Sequence, residues 1–292
     1  MKKKRTGWLI YNREDADKNQ AYIDWMLEEA NLLGIDLSFY LKEDLLYGVI
    51  DQQLFIHHHQ SELQLPEFAI MRNIDPLFSQ QLEALGVTVF NTSFVSGLCN
   101  DKARTHQFLT RAGIPMLNTL FVKKNEFVPL HLPFSYPIVV KEVSGRSGQQ
   151  VYAVESLQAL EALLANITSN DLIIQEMGDV PGKDVRVFVI GSTIIAAILR
   201  YSSTDFKANF SLGGSAKIYE LNDEETALVE KIIAQFDGQL GLVGIDFLFD
   251  KEGQFIFNEI EDVVGSRTLS ANSNYNIVRL YLQHMMKVLA DV

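Results

Sequence analysis

Asp246, Glu259 and Glu261 are carboxylates set inside two runs of otherwise strand-forming residues, VGIDFLFD and QFIFNEIED, separated by Lys251-Glu252-Gly253. Glycine tolerates positive φ, so a tight turn centred on Glu252-Gly253 predicts a hairpin that sets Lys251 opposite Gln254 and Asp246 opposite Glu259. Strand side chains alternate between faces, which puts Glu259 and Glu261 on one face, with Phe255 and Phe257 preceding them on it. Two carboxylates directly opposite each other, about 5 Å apart between Cβ atoms, repel. Burying them without compensation costs several kcal/mol per ion. Two arrangements satisfy this pattern. One is a site for a hard divalent cation such as Mg2+, which takes oxygen ligands and is often shared with substrate phosphates. The other is a salt-bridged or solvent-facing strand edge. Asp250 and Asp262, at the strand ends, are expected to face water.

A cation that carries phosphates calls for basic residues and a glycine turn elsewhere in the chain. Pro137-Ile138-Val139-Val140-Lys141 reads as a short buried strand ending in a lysine, and Glu142-Val143-Ser144-Gly145-Arg146-Ser147-Gly148 follows it. Backbone N–H groups in such a turn, with Arg146, suit phosphate oxygens; a plain β-hairpin fits the same residues. Lys102 opens a helix after Asp101, Arg186 alternates into the strand VRVFVI, where a charge needs a partner or a cavity, and Arg200 ends the strand IIAAIL. Gly213-Gly214, after Lys207-Ala208-Asn209-Phe210-Ser211-Leu212, allows close backbone approach to a ligand. The chain contains neither GxxxxGK[ST] nor GxGxxG, so it is not a P-loop, dinucleotide-binding or kinase sequence by motif. His57-His58-His59 cannot all face one way on a strand or helix and is read as a solvated face rather than a metal site.

These residues need elements to hold them. Trp8 to Tyr11, a helix over 17–33 stopped by Gly34, and Ile35 to Tyr40 follow a β-α-β order that predicts a parallel sheet. Phe68 to Met71 and Val87 to Phe90 flank a further helix. From Asn100 the texture changes: a helix ends at Gly113 and Pro115, and strands are predicted over 138–141, 172–175, 185–190 and 194–199. Helices are predicted at SLQALEALLANI, ETALVEKIIAQFDG and NIVRLYLQHMMKVL, and a linker near residues 91–100. At 292 residues the chain is long enough for up to three domains, and its net charge of −12 disfavours generic nucleic-acid binding. A single cysteine, Cys99, excludes an internal disulfide and suits a reducing compartment. The short apolar stretch after the basic start fits no signal peptide and no run approaches a membrane span, so a cytoplasmic protein with no membrane partner is expected.

Taken in order, the motifs resemble those of ATP-grasp enzymes, and most closely the RimK-type glutamate ligases, from about Asn91 to Gly265. Lys102 resembles the family's first nucleotide-contacting lysine, ahead of Gly113-Ile114-Pro115, and Lys141 its second. Gln175, Glu176 and Met177 resemble the adenine hinge, and Asp184-Val185-Arg186-Val187-Phe188-Val189-Ile190-Gly191 matches D-[IV]-R-x-F-V-[IV]-G. Lys207 and Asn209 occupy R-x-N, and Asp246 and Glu259 the metal-ligand positions. Glu261 stands where the family has Asn, Gly148-Gln149-Gln150 where it has G-x-G, Lys207 where it has Arg and Leu212 where it has a basic residue; the proline that follows the ligands is missing.

The resemblance implies an α/β and α+β ATP-grasp fold with an N-terminal α/β pre-domain over 1–95, a central lobe over 96–180 and a C-terminal lobe with the metal site over 181–292. It implies ATP and Mg2+, with Mn2+ as an alternative ion. Asp246, Glu259 and Glu261 would be metal ligands. Lys102, Lys141, Ser147, Gly148, Gln175, Glu176, Met177, Asp184, Lys207 and Asn209 would hold the nucleotide. Arg200 would meet the γ-phosphate and Arg267 the substrate carboxylate. The activity implied is carboxylate–amine ligation on amino-acid, peptide or small acceptors. A phosphotransferase, a nucleotide-binding regulator and a purely structural α/β protein stay open, as does homo-oligomerisation.

Overall fold

The computed structural model describes residues 4–129, 132–146, 148, 150–202 and 215–291. Ser147, Lys207, Asn209, Leu212 and the Gly213-Gly214 pair lie outside the described residues.

The N-terminal part is built on strands β1 (Thr6–Tyr11), β2 (Asp36–Leu41), β3 (Leu45–Ile50), β4 (Gln53–His58), β5 (Ser61–Glu62), β6 (Phe68–Met71) and β7 (Thr88–Phe90). Four of them form a parallel sheet in the order β2-β1-β6-β7, and β3-β4-β5 form a small antiparallel sheet beside it. The helix expected over 17–33 is two helices, α1 (Arg13–Lys18) and α2 (Gln20–Leu32), interrupted at Asn19, whose side chain donates back to the Asp15 carbonyl at 2.7 Å. Helix α3 (Pro76–Ala84) lies between β6 and β7.

The stretch expected as a linker is helix α4 (Ser93–Cys99), with Val95 and Cys99 buried, followed by α5 (Lys102–Thr110). Asn91, just ahead of it, is also buried. Its amide donates to the carbonyls of Leu242 (3.0 Å) and Asp262 (2.8 Å) and accepts from the Gly241 N–H (2.5 Å). One side chain thus ties the chain after β7 to β15 and to the residue that follows β16.

Strands β8 (Thr119–Lys123), β9 (Ile138–Glu142), β10 (Val151–Val154) and β11 (Asp171–Glu176), with helix α6 (Leu157–Asn166), make the central sheet, antiparallel in the order β10-β9-β11-β8. The third sheet has the order β14-β13-β12-β15-β16 and is also antiparallel: β12 (Lys183–Ile190), β13 (Thr193–Tyr201), β14 (Ser215–Tyr219), β15 (Leu242–Phe249) and β16 (Phe255–Glu261). Helix α7 (Asp223–Ala234) precedes β15, and α8 (Arg267–Asn272) and α9 (Ile277–Asp291) close the chain. One face of the third sheet packs its Val185, Val187, Ile245 and Phe247 against Val95, Leu109, Val229 and Phe236 of the helical layer. Helix α9 returns to the start of the chain and packs on α2, where buried Glu29 accepts from Asn276 (2.7 Å) and Arg279 (2.6 Å).

Candidate active site

The acidic hairpin forms with Asp246 opposite Glu259, but not through the expected turn. Phe249 pairs with Phe255 around a five-residue loop, Asp250 to Gln254, with Gly253 at φ +82°. That odd loop shifts the register by one residue. A β-bulge restores it, because Phe247 pairs with Phe257 while Asp246 pairs with Glu259, leaving Asn258 as the extra residue. The bulge also inverts the alternation. Phe255, Phe257 and Ile260 belong to the core, whereas Asn258 and Glu259 both line the cleft. The expectation that the two phenylalanines share the glutamates' face is therefore corrected. Asp262 is likewise buried rather than facing water, and accepts from the Asn100 amide at 2.7 Å.

Asp246, Glu259 and Glu261 come together, each offering an oxygen within 4.8 Å of the others. Two arginines balance them. Arg186 grips Asp246 with Nε (2.7 Å) and Nη2 (2.6 Å) and reaches Glu261 with Nη1 (2.9 Å). Arg200 grips Asp184 with Nε (2.6 Å) and Nη2 (2.7 Å), and Nη2 also reaches Asp246 (2.7 Å). Planar guanidinium groups are suited to such paired contacts. Gly244, next to Asp246's neighbour on β15, leaves the room, since a Cβ there would meet Val264 Cγ2 at 2.6 Å and Arg186 Cδ at 3.3 Å. In the sequence Arg186 is a strand charge in want of a partner and the Arg of the D-[IV]-R motif; in the structure it joins two of the three carboxylates.

Lysines complete the balance. Lys102 Nζ lies 3.3 Å from Glu259 and donates to the Gly145 carbonyl at 2.6 Å, so the first residue of α5 holds the glycine turn after β9. Lys141 Nζ donates to Asn258 Oδ1 at 2.8 Å, a partner that exists because the bulge turns Asn258 into the cleft. Burial pushes Lys141 down to about 8. Burial pushes Asp246 up, but Arg186 and Arg200 outweigh it and hold the carboxyl below its ordinary value. For Glu259 burial is likewise overcome, chiefly by Lys102. At Glu261 burial wins over Arg186 and the pKa is raised. Four carboxylates (Asp184, Asp246, Glu259, Glu261) thus face four cations (Lys102, Lys141, Arg186, Arg200).

Four of these groups, Lys102, Lys141, Asp184 and Glu259, border a cleft between the central and third sheets. Lys102, Lys141, Gly145, Gly148, Gln175, Glu176, Met177, Asp184, Asn258 and Glu259 line it, with apolar walls from Leu117, Val139, Val180 and Leu248. At its inner end the hydrogen bonding fixes one side chain's orientation. His106 Nδ1 lies 2.7 Å from the Lys102 carbonyl, so that nitrogen carries the proton and Nε2 is an acceptor. Gln175 must then turn its amide nitrogen to His106 (3.3 Å), and the same nitrogen reaches Thr119 Oγ1 (2.8 Å). Gln175 Oε1 is left buried with no partner among the described residues. It is an acceptor waiting for a donor, as the exocyclic amine of adenine would be. Glu176 spends its carboxylate on the Asn118 amide groups, both at 3.1 Å. An apolar slot that holds a buried acceptor, lined by two lysines and by Glu259 of the three-carboxylate cluster, fits a nucleotide carried by a divalent metal.

Arg267 is exposed at the start of α8, donates to Asn19 at 3.1 Å and does not line the cleft. His58 and His59 converge with Asp44, their ligand atoms within 4.8 Å, because His59 adopts φ +48°; Arg13 Nη2 lies 3.5 Å from Asp44. No helix among the described residues is long and apolar enough to cross a membrane.

Comparison with known proteins agrees with this fold. The RimK-like ATP-grasp domain family matches residues 99–285. The uncharacterized protein MG012 homolog of Mycoplasma pneumoniae (strain ATCC 29342 / M129 / Subtype 1) is 28% identical over 277 residues, covering 89% of this chain and 91% of that protein. The probable alpha-L-glutamate ligase of Pseudomonas fluorescens (strain SBW25) is 27% identical over 217 residues, covering 71% of this chain and 70% of its own. The structure of the ATP-grasp ligase PsnB, complexed with a phosphomimetic variant of a minimal precursor, Mg and ADP, superposes with a TM-score of 0.68 at 16% identity, over 97% of this chain and 98% of that one. The fold is that of the ATP-grasp enzymes, and the chain belongs to the RimK-like ATP-grasp family.

Proposed function

We propose that this protein is an ATP- and Mg2+-dependent carboxylate–amine ligase that forms an amide bond through an acylphosphate, with glutamate or another amino acid joined to a peptide or small acceptor. One observation carries the reading: three carboxylates on a bulged hairpin converge, one of them lining a cleft that holds a buried acceptor with no partner among the described residues and is bordered by buried Lys141 and part-buried Lys102.

In this scheme Gln175 Oε1 and the chain after it select the base. Lys102 and Lys141 hold phosphate oxygens, and Asp246, Glu259 and Glu261 hold Mg2+, which supplies charge neutralisation at the transferring phosphoryl group. A substrate carboxylate oxygen attacks the γ-phosphorus as the bond to the β-phosphate oxygen breaks and ADP departs. An amine nitrogen then attacks the acyl carbon, the carbon–oxygen bond to phosphate breaks, inorganic phosphate leaves and the nitrogen gives up a proton. No side chain need act as nucleophile; the protein positions and neutralises. Arg200, fixed between Asp184 and Asp246, is assigned the γ-phosphate in this reading, and Arg267 the substrate carboxylate.

Charge supports the same scheme. With four carboxylates balanced by four cations, a divalent ion alone would leave the site positive, whereas an ion bound with a polyphosphate would not. The glutamate-ligase relative makes glutamate the first amino acid to try. The test is Glu259→Gln. It keeps the shape and removes the charge that pairs with Lys102 and a metal. Amine-dependent ADP release is expected to fall at least a hundredfold, with the thermal transition unchanged. Unaltered turnover and metal affinity in that variant would remove Glu259 from the site.

A further inference from the structure

Arg72 takes no part in the chemistry above. It follows β6 directly, at the carboxyl end of the parallel sheet, where open α/β sheets present their ligand-binding side chains. It is 6% exposed. Its Nη2 donates to the Val264 carbonyl at 3.0 Å and its Nε approaches the Tyr11 hydroxyl at 3.4 Å. The guanidinium lies 5.1 Å from the centre of the Tyr22 ring. Among the described residues no carboxylate forms an ion pair with Arg72, and Nη1 makes no hydrogen bond. Asp262, on the loop that also carries Val264, accepts from Asn100, and its charge reaches Arg72 at a distance without forming an ion pair. The Tyr22 hydroxyl beside it is buried and has no hydrogen-bond partner among the described residues.

A buried guanidinium is costly when unpaired and cannot discharge itself by losing its proton. If its task were only to tie β6 to the loop after β16, one neutral donor would serve. A charged fork with a free nitrogen, next to an orphan hydroxyl, instead matches a carboxylate, which accepts two parallel N–H bonds and a further O–H bond. Val264 lies on the loop that leaves β16, the strand of Glu259 and Glu261, so Arg72 is joined to that loop from the N-terminal side.

We propose that Arg72, with the Tyr22 hydroxyl, holds a substrate carboxylate that does not react: the α-carboxylate of the amino acid that supplies the amine. This rests on the ligase reading. The carboxylate that is phosphorylated changes its charge distribution as it reacts, and a permanent cation fixed on it would favour the ground state. A carboxylate that stays anionic throughout gains from Arg72 at every stage, and holding it fixes the amine one carbon away.

The test uses the full chain with Mg2+ and a non-hydrolysable ATP analogue, and reads thermal stabilisation by the proteinogenic L-amino acids and by their α-carboxamides. At least one acid is expected to stabilise the wild type while its amide does not. Arg72→Met should weaken that acid's apparent affinity at least tenfold, with affinity for the nucleotide analogue within twofold, and Arg72→Lys should retain part of it. Equal effects of acid and amide, an unchanged response in Arg72→Met, or no response to any acid would overturn the proposal. If Arg72→Met does not fold, the acid-against-amide comparison and Arg72→Lys decide. ADP release on the same panel separates the two ideas: an acid that binds through Arg72 but never elicits ADP contradicts the ligase reading and leaves the carboxylate site standing.

Discussion

Lys141 is the residue whose state is most open to experiment. It is buried, and its pKa is pushed down to about 8. Binding a polyphosphate requires the ammonium form, so ATP affinity should be full below that value and fall as pH rises through it. Between pH 7 and pH 9 the charged fraction of the free protein drops about tenfold, and the dissociation constant for Mg-ATP measured by calorimetry should rise by about that factor. In Lys141→Met the dependence should vanish. His106 titrates in the opposite range. Burial pushes it down to about 4 from 6.5, and Gln175 offers its second ring nitrogen only a donor. The unfolded chain takes up that proton first, so His106's contribution is complete above pH 6.5 and is lost as pH falls towards 4. The loss amounts to about 3 kcal/mol and should be absent in His106→Gln, as urea unfolding across that range would show.

The hairpin shows which part of an element is legible in a sequence. Apolar runs interrupted by carboxylates mark two strands and their acidic face, and the pairing of Asp246 with Glu259 follows from the turn region. The phase of the side chains does not, because two one-residue irregularities compensate: a five-residue loop, and a bulge at Asn258. A bulge leaves no composition signal, so Asn258 and its contact with Lys141 could not be read. Deleting Asn258 would make the alternation regular from Phe255 to Glu261, with Glu259 and Glu261 still facing the cleft. The deleted protein is expected to fold, with a melting curve close to the wild type, and to bind Mg-ATP more weakly because Lys141 loses its acceptor. Loss of the fold would show that the bulge itself supports the sheet. The sheet of β3, β4 and β5 went unread for a similar reason: its first turn uses Asp51 and Gln52 at positive φ, where glycine or asparagine would have announced it. Helix α1 has no apolar stripe to reveal it, and the arginine pair was invisible because Arg186 and Asp246 are 60 positions apart and meet only across two sheet strands.

At the scale of the whole molecule, the cleft depends on contacts between distant parts of the chain. Asn91 joins the end of the parallel sheet to β15 and to the residue after β16, Lys102 joins α5 to the turn after β9, and α9 seals the third sheet to α2 through Glu29. The parallel sheet, the motif order and the Asp246–Glu259 pairing could be read in advance; contacts such as these could not, since nothing local in the sequence distinguishes a buried clamp from an ordinary asparagine. The central claim, that the assembled cleft links phosphoryl transfer from ATP to amide formation, is tested most directly by ADP release from purified protein with Mg2+ and ATP against a panel of amino acids and short peptides, supplied singly and in pairs. The prediction is release that requires both a carboxylate and an amine substrate, and that stops when Mg2+ is chelated. Tight Mg-ATP binding with no pair eliciting ADP, or ADP release that proceeds without any amine, would contradict it.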